Sequence, residues 1–173
     1  MKKFTTSDLV TTSLFSAVIA VFSQLALPSP TGMPVTLQTF IIALTGFVLG
    51  SAKGTASVLV YIAVGMAGIP VFTGFQGGLS SIFGPTGGFI FGFIPMAFFC
   101  GIKSEKLSAR LFYALIGTAA CHVCGVLWFS LSAGDVLNAF LMASAPYILK
   151  DIISVAAAQL VAKKVRVITQ KFN

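Results

Sequence analysis

The stretch LFYALIGTAACHVCGVLWFSL, residues 111–131, decides the fold class, because it holds no Asp, Glu, Lys or Arg. A transmembrane helix needs about 20 consecutive, mostly apolar residues, and this stretch supplies them. The rest of the chain has the same character: of 173 residues, 57% are hydrophobic and only 9% are charged. A soluble domain carries about 25% charged residues, so this chain cannot cover a water-facing surface. We therefore predict an all-α, polytopic membrane protein.

Six apolar stretches are long enough to be membrane spans. The predicted spans are residues 9–27, 36–51, 55–73, 84–102, 111–131 and 146–163. The chain begins Met-Lys-Lys, like a secretory signal, but the apolar stretch that follows is long and lacks a small-residue cleavage motif. We expect a retained first helix and one integral membrane domain over residues 1–173.

The basic residues support both the number of spans and their orientation. With six spans, the loops 28–35, 74–83 and 132–145 lie on one side and contain no Lys or Arg. Ten of the eleven basic residues lie on the other side: Lys2, Lys3, Lys53, Lys103, Lys106, Arg110, Lys163, Lys164, Arg166 and Lys171. Cytoplasmic loops carry such an excess, so we predict that both termini are cytoplasmic. The net charge of +7 then reflects topology rather than nucleic-acid binding.

The eleventh base, Lys150, is adjacent to Asp151 near the start of the sixth span, for which Pro146 suits the first turn. A charge near the centre of a membrane helix costs about 2.5–3.5 kcal/mol, so two charges need a reason. Neighbouring residues on a helix point in different directions, and we expect the two side chains to pair poorly with each other. A ligand site is favoured over mutual neutralisation or snorkelling, for a ligand with both donor groups and an anion.

The glycine-rich stretch GFQGGLSSIFGPTGGF, residues 74–89, lies on the side without basic residues. A phosphate-binding loop needs a lysine that this stretch lacks, so phosphate is excluded. Two interpretations remain, a plain turn and a pocket wall that backbone and ligand approach closely. Gln76 within it, and Gln38 near the same face, offer amide donors and acceptors for a ligand or for neighbouring helices. For Gln24 we expect helix-to-helix hydrogen bonding.

Catalytic and metal chemistry find little support in the sequence. The pair Cys121 and Cys124 flanks the only histidine, His122, and no second Cys/His cluster completes a zinc site. Free cysteine often behaves as a small hydrophobe, and that is our expectation here. The only acids are Asp8, Glu105, Asp135 and Asp151, and they form no paired carboxylates with a nucleophile. We expect no enzyme, no metal and no cofactor. A membrane enzyme that uses Asp151 and His122 is the competing hypothesis.

The first span carries small residues at four-residue spacing. Ser13 with Ala17 and Ser16 with Ala20 form two overlapping small-xxx-small pairs. Such pairs let a second helix approach closely. That helix belongs either to the same chain or to a partner protein.

Several stretches together resemble the BioY family, the biotin-specific S-components of energy-coupling factor (ECF) transporters. They are SLFSAVIAVFSQLALP (13–28), MPVTLQTF (33–40), GIPVFTGFQGGLSSIFGPTGG (68–88), FIFGF (89–93) and PYILKD (146–151). The resemblance covers about residues 8 to 165. It implies a six-helix protein of the bacterial cell membrane that binds biotin near the outer face. It also implies, as partners, a transmembrane coupling protein and two cytoplasmic ATPases.

The resemblance also implies roles for individual residues. Asp151 matches the family's acidic residue and would accept a hydrogen bond from the ureido ring, with Gln76 addressing the same group. Phe75, Phe91 and Tyr147 are candidates to enclose the ligand. The small residues of the first helix, Ser13 and Ala17 or alternatively Ser16 and Ala20, would face the coupling protein.

One departure from the family concerns the ligand carboxylate. The family has a lysine three residues after the aspartate, where this chain has Ser154. Lys150, just before Asp151, is the candidate to reach the carboxylate instead. The alternative function is therefore an S-component for another small vitamin or for a biotin precursor.

Overall fold

The computed structural model describes residues 4–29 and 33–171, so Lys2 and Lys3 lie outside the described residues. Within this part the chain forms eight α-helices and one two-stranded antiparallel sheet, which confirms the all-α class. The helices are α1 (Thr6–Ser23), α2 (Gln38–Leu49), α3 (Ser51–Met66), α4 (Leu79–Phe83), α5 (Gly87–Cys100), α6 (Leu107–Ala133), α7 (Val136–Ala143) and α8 (Ile148–Lys171). The strands are β1 (Ala26–Leu27) and β2 (Val35–Thr36), with Ala26 opposite Thr36.

Each predicted span corresponds to one helix. α1, α2, α3 and α5 are shorter than predicted, and α6 and α8 are longer. By length and composition, α1 and α6 of the described residues are long and apolar enough to cross a membrane, and α7 with α8, bent by 52°, makes a third candidate if the pair is one broken span. The predicted span 55–73 is wrong at both ends, because α3 begins at Ser51 and ends at Met66. Gly50 adopts a φ of 82°, which glycine tolerates, and reverses the chain between α2 and α3 within one residue.

Several hydroxyl groups inside the bundle donate hydrogen bonds to carbonyl groups of the helix that carries them. Ser23 donates to the Ile19 carbonyl at 2.8 Å and Thr45 donates to the Ile41 carbonyl at 2.7 Å, both from buried positions. A buried polar group without a partner would cost free energy, and this local bonding avoids that cost in an apolar interior. The helices can therefore pack through small polar residues as well as apolar ones.

The two small-residue pairs of α1 face different ways. Ser16 is buried and donates to the Ser57 carbonyl of α3 at 2.8 Å, and Ala20 packs against the core. Ser13 and Ala17 are exposed on the surface of the bundle. The pair Ser16 and Ala20 thus contacts the protein's own α3, and only the pair Ser13 and Ala17 stays open to a partner.

The two ends of the bundle differ in chemistry. At one end, Thr5 and Asp8 form a reciprocal cap on α1, and Asp8 also pairs with Lys53 at the start of α3. At the opposite end lie the sheet, α4, and α7, which Asp135 caps by accepting hydrogen bonds from the Leu137 and Asn138 amides. α8 begins at Ile148, two residues after Pro146.

Candidate functional site

A cavity of about 520 Å³ opens at the end of the bundle that holds the sheet, α4 and α7. A ligand site for a small molecule typically measures about 300–1,000 Å³, so the cavity has the size of such a site. Its walls come from Met33 and Pro34 with β2, the start of α2, and the segment between α3 and α5. They also come from α5, α6, the end of α7 and the start of α8. Residues distant in sequence therefore meet around one space.

Asp151 lies on the α8 wall between two nitrogen donors. Its Oδ1 pairs with the Lys150 ammonium, and its Oδ2 lies 3.2 Å from His122 Nε2. Our expectation that Lys150 and Asp151 would pair poorly is wrong. The long lysine stem bends back beside the neighbouring carboxylate, and Lys150 Nζ also donates to the Thr36 carbonyl at 3.0 Å. Asp151 is in the first turn of α8, where the helix dipole stabilises a negative charge.

His122 is a residue of this site that the sequence interpretation underrated. It lines the cavity from the middle of α6, and its Nδ1 lies 2.8 Å from the buried Ser144 hydroxyl. The signal was present in the sequence, as one titratable side chain within an uncharged span. Because α6 and α8 are far apart in sequence, no local pattern joins His122 to Asp151, and only the competing enzyme hypothesis brought the two residues together.

Gln76 and Gln38 both line the cavity but have different surroundings. The Gln76 backbone bridges to Phe72, which folds the segment after α3 into a tight hairpin. Gln38 Nε2 donates to Ser23 Oγ and to the Tyr61 hydroxyl, each at 3.2 Å. Gln38 is thus held by a buried polar network that fixes the cavity wall.

The apolar wall consists of side chains that the sequence did not single out. They are Met33, Phe72, Phe89, Ile90, Phe93, Met96 and Phe129. Phe89 sets its ring edge against His122, with ring centroids 6.1 Å apart. The aromatic surface therefore lies beside the polar cluster, and a ligand with an apolar body and a polar head suits this arrangement.

Not every predicted ligand residue lies at the cavity. Phe75 is 72% exposed and adopts a φ of 56°, which turns its side chain away from the bundle. Phe91 packs on Trp128 instead, with ring centroids 5.7 Å apart. Ser154 is buried one turn further along α8 and does not line the cavity. Tyr147 does line it, and its hydroxyl donates to the Met33 carbonyl at 2.6 Å, which ties the segment before β2 to the residues that precede α8.

The glycine-rich segment forms a wall of the cavity, but its glycines serve packing rather than ligand contact. Gln76, Ser81, Pro85, Thr86 and Phe89 line the cavity, and no glycine of the segment does. A Cβ at Gly88 would overlap the Cβ of Trp128 and lie 2.5 Å from the Cys124 carbonyl of α6. Our interpretation of these glycines as room for the ligand is therefore wrong, while the interpretation as a pocket wall stands.

Gln24 connects the end of α1 to this same segment rather than to another helix. Its amide nitrogen donates to the Val71 and Phe72 carbonyls, at 3.0 and 3.1 Å, and its oxygen accepts from the Phe75 amide at 2.9 Å. The hairpin that presents Phe72 and Gln76 is held in place by these three bonds.

Among the described residues, no group of three or more His, Cys, Asp and Glu side chains could hold a metal ion. Cys100, Cys121 and Cys124 are free thiols. The arrangement around the cavity is that of a binding site, with a carboxylate and its two nitrogen partners facing an aromatic wall.

Comparison with known proteins identifies relatives of the chain. The model of the BioY family matches residues 1–171. The Biotin transporter BioY of Thermotoga maritima is 34% identical, over 92% of this chain and 95% of that protein. The Probable biotin transporter BioY of Pyrococcus horikoshii is 36% identical, over 89% of this chain and 93% of that protein.

A solved structure has the same fold. The crystal structure of the S-component for biotin from an ECF-type ABC transporter matches with a TM-score of 0.83 and 25% identity, over 92% of this chain and 90% of that one. Together with the apolar helices, these relatives make the chain a membrane protein with the S-component fold. The chain belongs to the BioY family, a family of membrane transport proteins rather than enzymes.

Proposed function

We propose that this protein is the biotin-binding S-component of an ECF-type vitamin transporter. It captures biotin in the cavity at the outer face of the cell membrane. It releases biotin inside when a transmembrane coupling protein and two ATPases drive it. The family and the relatives named for biotin support the substrate, and the S-component fold supports the coupled mechanism. Biotin is the cargo, and the protein needs no cofactor of its own.

The observation that carries the proposal is the ion pair of Lys150 and Asp151 on one wall of a cavity whose apolar wall includes four phenylalanine side chains, Phe72, Phe89, Phe93 and Phe129. The ureido head of biotin has two N–H donors and one carbonyl acceptor, and both nitrogen atoms are bonded to the carbonyl carbon. A carboxylate next to an ammonium group suits such a head, because Asp151 can accept a hydrogen bond from an N–H group while Lys150 donates one to the carbonyl oxygen. The apolar thiophane ring then lies against the phenylalanine side chains.

This arrangement gives Lys150 a different role from the one the sequence suggested. Lys150 is held beside Asp151 and the Thr36 carbonyl, which keeps its ammonium near the ureido head rather than at the end of the valerate chain. Donors for the valerate carboxylate are the side chains of Gln76, Ser81 and Thr86, which all line the wall formed by the glycine-rich segment.

Direct binding tests the proposal. Biotin is titrated into the purified full-length protein in detergent, and we expect saturable binding at sub-micromolar ligand. The absence of binding at micromolar biotin would reject the function. Competition by a precursor that lacks the sulfur ring, or by other small vitamins, tests the alternative substrates. If a competitor binds more tightly than biotin, that competitor is the preferred cargo.

Replacement of Gln76 tests the loop wall of the site. We expect Gln76→Ala to weaken biotin binding by about tenfold, because a hydrogen bond to a charged or polar ligand group is lost. Phe75→Ala is the matched control, since Phe75 is the adjacent residue but its side chain is exposed. Isothermal titration of both variants checks this, and equal losses in the two would contradict our placement of the ligand.

Replacement of the exposed small pair on α1 tests the partner interface. We expect Ser13→Leu with Ala17→Leu to reduce ATPase-driven uptake by about tenfold or more, since overpacking a helix interface costs about 1–3 kcal/mol. Biotin binding to the isolated protein stays unchanged, because both residues are remote from the cavity. The control is Ala119→Leu, at an exposed small residue of α6. Equal uptake by both variants would remove this face from the interface.

A further inference from the structure

His122 connects three parts of the site that are separate in sequence. Its Nε2 lies 3.2 Å from Asp151 Oδ2 on α8, and its Nδ1 lies 2.8 Å from Ser144 Oγ at the corner between α7 and α8. The ring edge of Phe89 on α5 packs against the imidazole. Both ring nitrogens therefore have a polar partner, and the ring plane is fixed from a third direction.

We propose that His122 is a positioning residue of the binding site, which holds the Asp151 carboxylate in its ligand-binding orientation through Nε2–H and is itself held by Ser144 through Nδ1. The inference rests on the proposed function for its ligand and adds a residue and a hydrogen-bond direction to it. The neutral imidazole has one donor and one acceptor nitrogen, and the partner of one nitrogen selects the tautomer. Asp151 can only accept, so Nε2 carries the proton and Nδ1 accepts from the Ser144 hydroxyl.

The Asp151 carboxylate needs the hydrogen bond from His122 because it also has to accept a hydrogen bond from the ligand. Lys150 contacts Oδ1, and a ligand N–H must approach this same carboxylate from the cavity. A carboxylate with a single partner turns about its terminal torsion, which is broad. With Oδ2 held by His122, the direction in which Asp151 accepts from the ligand is fixed before the ligand arrives. Preorganisation of this kind raises affinity by reducing the entropy lost on binding.

Two replacements of His122 distinguish the roles of its two ring nitrogens. A glutamine places its amide nitrogen near the position of Nε2 and can still donate to Asp151. An asparagine reaches only the position of Nδ1 and can still accept from Ser144, but it leaves Asp151 Oδ2 without its donor. We expect His122→Gln to bind biotin within about threefold of wild type and His122→Asn to lose about tenfold or more. A merely structural role would impair both variants alike, and that result, or full affinity of His122→Asn, would overturn the proposal.

Ser144→Ala tests the hydrogen bond between Ser144 and His122 Nδ1. Removal of the hydroxyl frees the imidazole to change tautomer, and we expect a loss of about threefold in affinity. In the His122→Gln background the same replacement has no further effect, because glutamine has no group at the Nδ1 position for Ser144 to bond. Additive losses of affinity in the double variant would mean that Ser144 acts independently of His122. This result would overturn the proposal that Ser144 holds His122.

A measurement without ligand separates this inference from the proposed function. His122 is the only histidine of the chain, so its ring nitrogens give the only imidazole signals in a ¹⁵N-labelled protein carrying a histidine-free tag. We expect a proton on Nε2, with its signal shifted in Asp151→Asn. A ring protonated at Nδ1 or at both nitrogens would overturn the arrangement. Failure of the wild-type protein to bind biotin would reject the proposed function while leaving this test intact.

Discussion

Asp151→Asn lowers the affinity for biotin by about a hundredfold or more, which is the largest effect on binding that we expect from one replacement. The carboxylate is buried between Lys150 and His122 and lines the cavity. Asparagine has the same shape but no charge, and one of its two terminal groups is a donor. It can no longer accept strongly from a ligand N–H, and it leaves the Lys150 ammonium without its counter-charge.

The control for charge is Asp135→Asn. Asp135 carries the same group on the same end of the protein but caps α7 and does not line the cavity. Asparagine also caps helices well, so we expect unchanged binding and an unchanged thermal unfolding temperature. Equal losses of affinity in both variants would show that net charge, and not the site, controls binding.

A second variant keeps the test valid if Asp151→Asn unfolds the protein. The breaking of a buried ion pair costs about 3–5 kcal/mol, whereas removal of both charges is often neutral. The double variant Lys150→Met with Asp151→Asn should therefore unfold near the wild-type temperature and still fail to bind biotin. Isothermal titration together with differential scanning fluorimetry checks both properties. Retained binding in this stable double variant would exclude the two residues from the site.

The polar half of the site could be predicted from the sequence because a charge is conspicuous in an apolar chain. Lys150 and Asp151 stand out near the start of an otherwise uncharged span, and Gln38 and Gln76 stand out for the same reason. All four line the cavity. Their pairing was not predictable, because rules for neighbouring helix residues do not describe how a long lysine side chain bends back.

The aromatic half could not be predicted, because 17 phenylalanines are spread through the chain and membrane helices carry no polar face to orient them. Phe72 and Phe75 are three residues apart, yet one is 3% and the other 72% exposed. The hairpin that joins Phe72 to Gln76 determines this difference, together with the three hydrogen bonds from Gln24. Such tertiary bonds leave no pattern in the local sequence.

The C-terminal end of the third span was placed too far along the chain for a related reason. Hydropathy reports how apolar a stretch is and not where its backbone turns, so the apolar residues 67–73 were counted into the third span. In the structure they follow the end of α3 and lead into the hairpin at the cavity. Irregular backbone at membrane depth is tolerated where it is buried in protein or lines a cavity, and this segment contributes to the cavity wall.

Gly88→Ala should strongly destabilise the protein. Gly88 is in the first turn of α5, where this helix crosses α6, and these two helices share the most extensive contact of the bundle. A single added methyl group would overlap Trp128 and press on the Cys124 carbonyl, which is backbone and cannot rotate away. We expect the free energy of unfolding to fall by about 1–3 kcal/mol or more, because overpacking forces the helices apart.

The same replacement should also weaken biotin binding, and this links the glycine-rich segment to function through packing. Trp128 Nε1 donates to the Gly84 carbonyl at 3.0 Å, so a shift of α5 from α6 also displaces the segment that carries Ser81, Pro85 and Thr86 into the cavity wall. The control is Gly84→Ala in the same segment, where φ is −73° and the nearest atom to an added Cβ is 3.1 Å away. We expect a clearly smaller loss there, since the backbone angle suits alanine and the contact yields by a few tenths of an ångström. Differential scanning fluorimetry and biotin titration on both variants check the comparison. If Gly88→Ala has the unfolding temperature and the biotin affinity of the wild-type protein, then this glycine is not needed for the close approach of α5 to α6.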